Sequence, residues 1–297
     1  MRDRNHHIYA CKLTSLKHIN GGLCAPSFVA EQTLQEIHHM LKLQEKGVYG
    51  IMPIYGHYPS VNEIKIYANM YKFLPKVLIP ESSIIIELLP LAVPFRVFVD
   101  NLHRSRRKLS IKQACAVFLD ILSPLEHMHK AQVIHRDIKI DNLMLIKLPN
   151  GTIRVAISDF NISREFTGTS VSQYTPMGTP GYNPRIKEKT LKPSHMTKSD
   201  AEKLDLYAAA QCIYVLFNRG IMAPNNGNIP APKDSSSYEF TELLRSMLNP
   251  NISKIPSCST IRKRLEGMLK QDHSQRRTAQ SGHRNFMYHK QYPKRYF

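Results

Sequence analysis

The apolar positions of this chain change period several times, and each change marks an element. IYACKL (residues 8–13) alternates weakly and predicts a short strand. In residues 30–44, AEQTLQEIHHMLKLQ, the positions Leu34, Ile37, Met40, Leu41 and Leu43 form a stripe near the helical period. IMPIYGHY (51–58) is again strand-like, and SSIIIELLP (82–90) is continuously apolar up to Glu87, as a strand covered on both faces should be. Ser110 is a suitable N-cap for a helix carrying Ala114, Val117, Phe118, Ile121, Leu125 and Met128 on one face, with Pro124 expected to kink it. LMLIKL (143–148) and TIRVAIS (152–158) flank Asn150-Gly151, the pair most typical of a tight β-turn, and predict a hairpin. SDAEKLDLYAAAQCIYVLF (199–217) reads as a buried helix.

Composition narrows the class. The 297 residues can hold one large domain or two lobes, and an apolar content of 42% suffices for a core. The formal charge of +18 implies a field that attracts ATP, acidic substrates, nucleic acid or an anionic surface, unless it is only a solvated basic face. Five cysteines, Cys11, Cys24, Cys115, Cys212 and Cys258, are scattered and never form a CxxC pair. That argues against a disulfide framework or zinc site and for a reducing, intracellular compartment, cytoplasmic or nuclear. MRDRNHHIYA has no apolar signal core, and the apolar stretch at 83–99 is broken by Glu87, Pro90, Pro94 and Arg96, so no membrane span is expected.

Candidate chemistry lies in residues 133–161, VIHRDIKIDNLMLIKLPNGTIRVAISDFN. The hairpin would hold Asp137 and Asn142 on the loop before its first strand and Asp159 just past its second. Three oxygen-bearing side chains then converge, which suits Mg²⁺, a hard cation that favours carboxylate and phosphate oxygens. A lone Asp in a loop is usually a turn or cap residue, so the inference rests on the joint spacing. HRDIKIDN (135–142) followed by DFN (159–161) resembles the catalytic loop and metal-binding motif of eukaryotic-type protein kinases.

The resemblance, which runs from Ile8 to about Phe286, implies an α+β, two-lobed fold. A truncated N-lobe would occupy residues 1–89, with an insertion near 60–80 of no assigned function. A mainly helical C-lobe would occupy 90–286, and 287–297 would be a basic tail. It implies a serine/threonine protein kinase that uses ATP and Mg²⁺ and acts on protein Ser/Thr hydroxyls. Asp137 would accept the substrate proton and Lys139 would offset γ-phosphate charge. Asn142 and Asp159 would hold the metal. Lys12, tied to Glu36, would hold the α/β phosphates; Glu31 is the competing partner. Ala10, Ile86 and Met144 would border the adenine, and the backbone from Glu87 to Leu89 would form the hinge that binds its edge. Met40 would stack against His135 and Phe160, and Asp205 would brace the catalytic-loop backbone. GTPGY (178–182) resembles the substrate-facing segment, and Thr179 within it, like Lys139, points to the serine/threonine branch. Arg136 would receive a phosphate from the loop after Asp159, with Thr175 the expected phosphosite and Thr167, Thr169, Ser170 and Ser172 competing.

Three departures stand out. Only seven residues precede IYACKL, so the Gly-rich loop and first two strands are missing, which should weaken ATP binding. Asn161 stands where the family has Gly, and NPR (183–185) where it has Ala-Pro-Glu, whose Glu usually pairs with an Arg such as Arg276. The compact, front-truncated layout resembles kinases of large DNA viruses. Two other readings stay open: a pseudokinase scaffold, and a nucleic-acid-binding protein that uses HRSRRK (103–108) and the aromatic, basic tail.

Overall fold

The computed structural model describes residues 10–15, 26–58, 84–89, 91–148, 150–166, 172–174, 178–184, 194–224, 228–232 and 237–279. The proposed insertion, Thr175, Arg185 and the tail lie outside them. The first part is a three-stranded antiparallel sheet, order β1-β3-β2, from β1 (Ala10–Ser15), β2 (Gly56–Tyr58) and β3 (Ile84–Leu89). β3 is the central strand of that order and pairs antiparallel with both neighbours. The strand-like stretch at 51–58 forms a ladder only at Gly56–Tyr58, and Ile51 makes an isolated parallel bridge to Ile157. Pro53 in between removes a backbone donor, so one continuous strand cannot form. Helix α1 (Pro26–Glu45) buries Ile37, Met40 and Leu43 on one side, the stripe seen in the sequence.

The larger part begins with β4 (Ala92–Pro94) and α2 (Phe95–Arg104) and continues through α3 (Ile111–Lys130). Ser110 caps α3 in a reciprocal box with Gln113. Pro124 lies inside α3, which runs on to Lys130. Its ring is buried and packs so closely on Gly50 that a Cβ there would be 3.0 Å away.

After β5 (Val133–Ile134) comes a 3₁₀ turn (Ile140–Asn142). The hairpin follows as β6 (Leu143–Lys147) and β7 (Ile153–Ile157), paired from Leu143↔Ile157 to Lys147↔Ile153. Past the ladder, Leu148 N–H donates to Thr152 O at 2.8 Å and Gly151 takes φ +79°. Three-residue hairpins place Gly in this left-handed position. β8 (Arg164–Glu165) pairs with β5, and β9 (Ser172–Tyr174) with β10 (Ser194–Met196).

Among the described residues, three further helices follow: α4 (Lys198–Phe217), α5 (Tyr238–Met247) and α6 (Cys258–Ala279). From Leu204 to Phe217 every residue of α4 is buried, as the apolar segment required. Among the described residues no helix is long and apolar enough to cross a membrane.

Candidate active site

The loop between β5 and β6 is pinned by one buried carboxylate. Asp205, 1% exposed on α4, accepts backbone N–H bonds from His135 and Arg136, both at 2.9 Å, and a third at 2.9 Å from His129 Nε2. Burial alone would raise its pKa, but these donors outweigh it and hold the carboxyl below its ordinary range. The loop pays for this fixation in backbone strain, since Arg136 has φ +73°. His135 is fully buried. Its Nε2 lies 3.0 Å from Ser158 O, and its Nδ1 accepts from Asp137 N at 3.3 Å. Those two contacts select the neutral tautomer with the proton on Nε2, and burial lowers the pKa accordingly. Its ring meets Phe160 edge-on at 4.9 Å, and Met40 and Phe160 lie in the same core.

Asp137 sits within this loop and is buried. Lys139 Nζ donates to Asp137 Oδ2 at 2.6 Å and to Thr179 Oγ1 at 3.0 Å, while Thr179 Oγ1 donates to Asp137 Oδ1 at 2.8 Å. A carboxylate, an ammonium and a hydroxyl thus close a triangle across 42 residues of sequence. Asn142 Nδ2 donates to Asp137 O at 2.9 Å and to Asp137 Oδ2 at 3.1 Å. Both donors of its amide are therefore spent, and Oδ1 is the end left to accept or coordinate. Gly178 approaches from the GTPGY segment so closely that a Cβ there would be 2.5 Å from Arg136 O.

The small sheet contributes the other side. Lys12 Nζ lies 2.5 Å from Glu36 Oε2 and 3.9 Å from Asp159 Oδ1. Glu36 is the partner that meets Lys12. It is 3% exposed, and burial pushes its carboxyl up while Lys12 pulls it back. Asp159 follows β7 with φ +66°. Asn161 does not take a left-handed conformation, so replacement of the expected Gly brings no backbone strain there; the unusual φ falls on Asp159 instead.

The remaining expectations divide. Ala10 and Met144 lie in β1 and β6. The segment from Glu87 to Leu89, expected to form the hinge, belongs to β3: Glu87 registers with Lys12 and His57, and Leu89 with Ala10. The ladder therefore runs three residues beyond Ile86. Three groups were not legible beforehand. His129 bonds Asp205, Ser163 links His39 Nδ1 (2.5 Å) to Phe160 O (2.6 Å), and Arg96 grips Asp141 in a bidentate pair. The only advance signal was the place of Asp141 inside HRDIKIDN.

A metal site can be tested on chemistry. Among the described residues no group of three His, Cys, Asp or Glu side chains could hold an ion alone. One carboxylate and one amide oxygen, Asp159 and Asn142, fit a cation such as Mg²⁺, which keeps few protein ligands and shares phosphate oxygens.

Residues 1–287 match the protein kinase domain family. Similar proteins include the serine/threonine-protein kinases Nek1 of Mus musculus (30% identical over 156 residues, 48% of this chain and 12% of the relative) and Nek8 of Danio rerio (32% over 156 residues, 48% and 21%). Another is the fatty acyl-CoA synthetase and RNA processing-associated kinase 1 of Saccharomyces cerevisiae (25% over 155 residues, 52% and 16%). The matches thus cover at most 21% of the length of these three relatives. A match over nearly the full chain, with the α+β architecture and the HRD and DFN segments in their expected places, is decisive: the chain belongs to the protein kinase domain family.

Proposed function

We propose that this chain is an active serine/threonine protein kinase that moves the γ-phosphate of ATP to a protein hydroxyl. One observation carries the reading: Asp137, Lys139 and Thr179 form a closed hydrogen-bonded triangle beside Asn142. The serine/threonine assignment is supported by Lys139 and Thr179 themselves and by the similar serine/threonine-protein kinases Nek1 and Nek8.

Asp137 is fixed by donors on both carboxylate oxygens. An incoming hydroxyl would displace Thr179 from Oδ1 and give its proton to that oxygen as its own oxygen bonds to the γ-phosphorus, while the bond from that phosphorus to the β-phosphate oxygen breaks and ADP leaves. Lys139, already at Asp137 Oδ2, would neutralise charge on the transferring group. Asn142 and Asp159 would hold Mg²⁺, which when bound with ATP supplies charge neutralisation at the phosphates. Lys12, oriented by Glu36 and already near Asp159, would hold the α/β phosphates. Arg136 lines a cavity of about 430 Å³ between α1 and β8 together with Arg164 and His39. Its chemistry suits a phosphate on the loop after Asp159, and Thr175 is the proposed donor of that phosphate.

The test is phosphate transfer from labelled ATP to a Ser-containing protein by the wild type and Asp137→Asn. Loss of a proton acceptor should lower the rate about a hundredfold to ten-thousandfold. Equal incorporation by both proteins would defeat the enzyme reading and leave a binding role. For regulation, Thr175→Ala should lower activity, and mass spectrometry of the active wild type should find phosphate at that residue. Full activity without it removes Thr175 from the account.

A further inference from the structure

We infer that Arg96, gripped along one edge by Asp141, is a specificity-determining residue that reads an acidic side chain next to the substrate hydroxyl. The inference rests on the kinase reading above and names a substrate class for that site. Arg96 is the second residue of α2. The helix buries Phe95, Phe98 and Val99, which leaves Arg96 on its outer face. Asp141 is the middle residue of the 3₁₀ turn, two residues past Lys139 and one before Asn142. Arg96 Nε donates to Asp141 Oδ1 and Nη2 donates to Oδ2 at 2.7 Å. The contact joins α2 to the catalytic loop across 45 residues of sequence.

A guanidinium has five N–H groups. Two go to Asp141, and no other hydrogen bond from Arg96 is present among the described residues. The side chain is 46% exposed, so the remaining donors face a partner from outside. Tyr182 of GTPGY, which takes a backbone hydrogen bond from Ile140, feels the charge of both members of the pair. The pair therefore lies at the lip of the site, where the catalytic turn meets the GTPGY segment.

The consequence is a sign of charge. A lone carboxylate beside Lys139 would attract basic peptides, but Arg96 occupies this one. What the lip offers is a half-free guanidinium, with Lys139 behind it. Asp100, one turn along α2, acts on Arg96 through space without a bond. Beyond it Arg104, Arg106, Arg107 and Lys108 are exposed, so the positive surface continues past the end of α2. An acidic substrate segment meets complementary charge along this route.

The alternative is that the pair only staples α2 to the turn. The test separates the two by reading a ratio. Three peptides share one Ser and differ only in flanking Glu, Ala or Lys; kcat/KM is measured for each with the full chain and ATP. The wild type should favour Glu over Ala by roughly fivefold, the scale of one exposed ion pair. Arg96→Ala should bring that ratio to about one, and Arg96→Glu should invert it towards Lys. Asp141→Asn, which frees the guanidinium but keeps it, should retain the acidic preference. Each ratio is taken within one variant, so a general loss of turnover cancels. If no peptide is phosphorylated, the kinase reading fails by itself. Fluorescence anisotropy of the same labelled peptides still reads Arg96: Glu peptides should bind the wild type more tightly than Lys peptides, and Arg96→Glu should reverse the order. An Arg96→Ala ratio equal to that of the wild type, or binding indifferent to peptide charge, overturns the inference.

Discussion

Gly178 leaves no room for a side chain. Its φ is +112°, and a Cβ would meet Arg136 O at 2.5 Å and Asp137 Oδ1 at 3.5 Å. The neighbouring carbonyl belongs to a loop pinned by Asp205 and cannot retreat. Gly178→Ala should therefore lower stability by at least about 3 kcal/mol, from the left-handed backbone plus the clash. Gly220, with φ +82° and open space around it, is the internal comparison. Gly220→Ala should cost only about 1–2 kcal/mol. Urea midpoints of the two variants check this, and equal losses would remove the close approach from the account. At this scale the sequence was partly legible. The motif spacing brought Asp137, Asn142 and Asp159 to notice because each belongs to a short, local pattern. His129, Ser163 and Arg96 were not legible, since each acts on a residue between 45 and 124 positions away and no local pattern announces such a pair.

At the scale of elements, α1 is tied to the segment after Asp159 by polar contacts. His39 Nδ1 meets Ser163 Oγ, whose own proton goes to Phe160 O, and Lys42 meets Glu165 at 2.6 Å. Burial pushes His39 from the ordinary 6.5 down to about 4. The folded pKa is below the unfolded one, so the fold favours neutral His39. Its contribution is fully present above about pH 6.5 and is lost as pH falls towards 4. Between pH 7 and pH 5 the wild type should lose about 2 kcal/mol through this group. His39→Phe should show a correspondingly smaller loss in urea titrations at the two pH values. The same loss in both proteins would mean that His39 is not the acid-sensitive link. Helix periods were well marked in the sequence, and α4 was placed to within one residue because its apolar run is long. Strand lengths were less legible. Whether residues 51–58 or 87–89 join a ladder depends on neighbours far along the chain, not on their own alternation.

For the whole molecule, family and architecture were legible because the motif pair is long and its spacing is constrained by the hairpin. The charge of +18 was legible as a number but not as a surface. Only the fold shows Arg96 at the lip of the site, with the exposed residues 104–108 beyond it. The central claim is that Lys12 from the small sheet and Asn142 and Asp159 from the hairpin ends jointly hold a magnesium-bound nucleotide. Calorimetric titration of ATP into the wild type, with Mg²⁺ and then with excess chelator, tests it most directly. Affinity should fall at least about tenfold when the metal is removed, and Asp159→Ala should bind equally weakly in both conditions. ATP binding by the wild type that is the same with and without Mg²⁺, or a metal dependence that survives Asp159→Ala, would contradict the account.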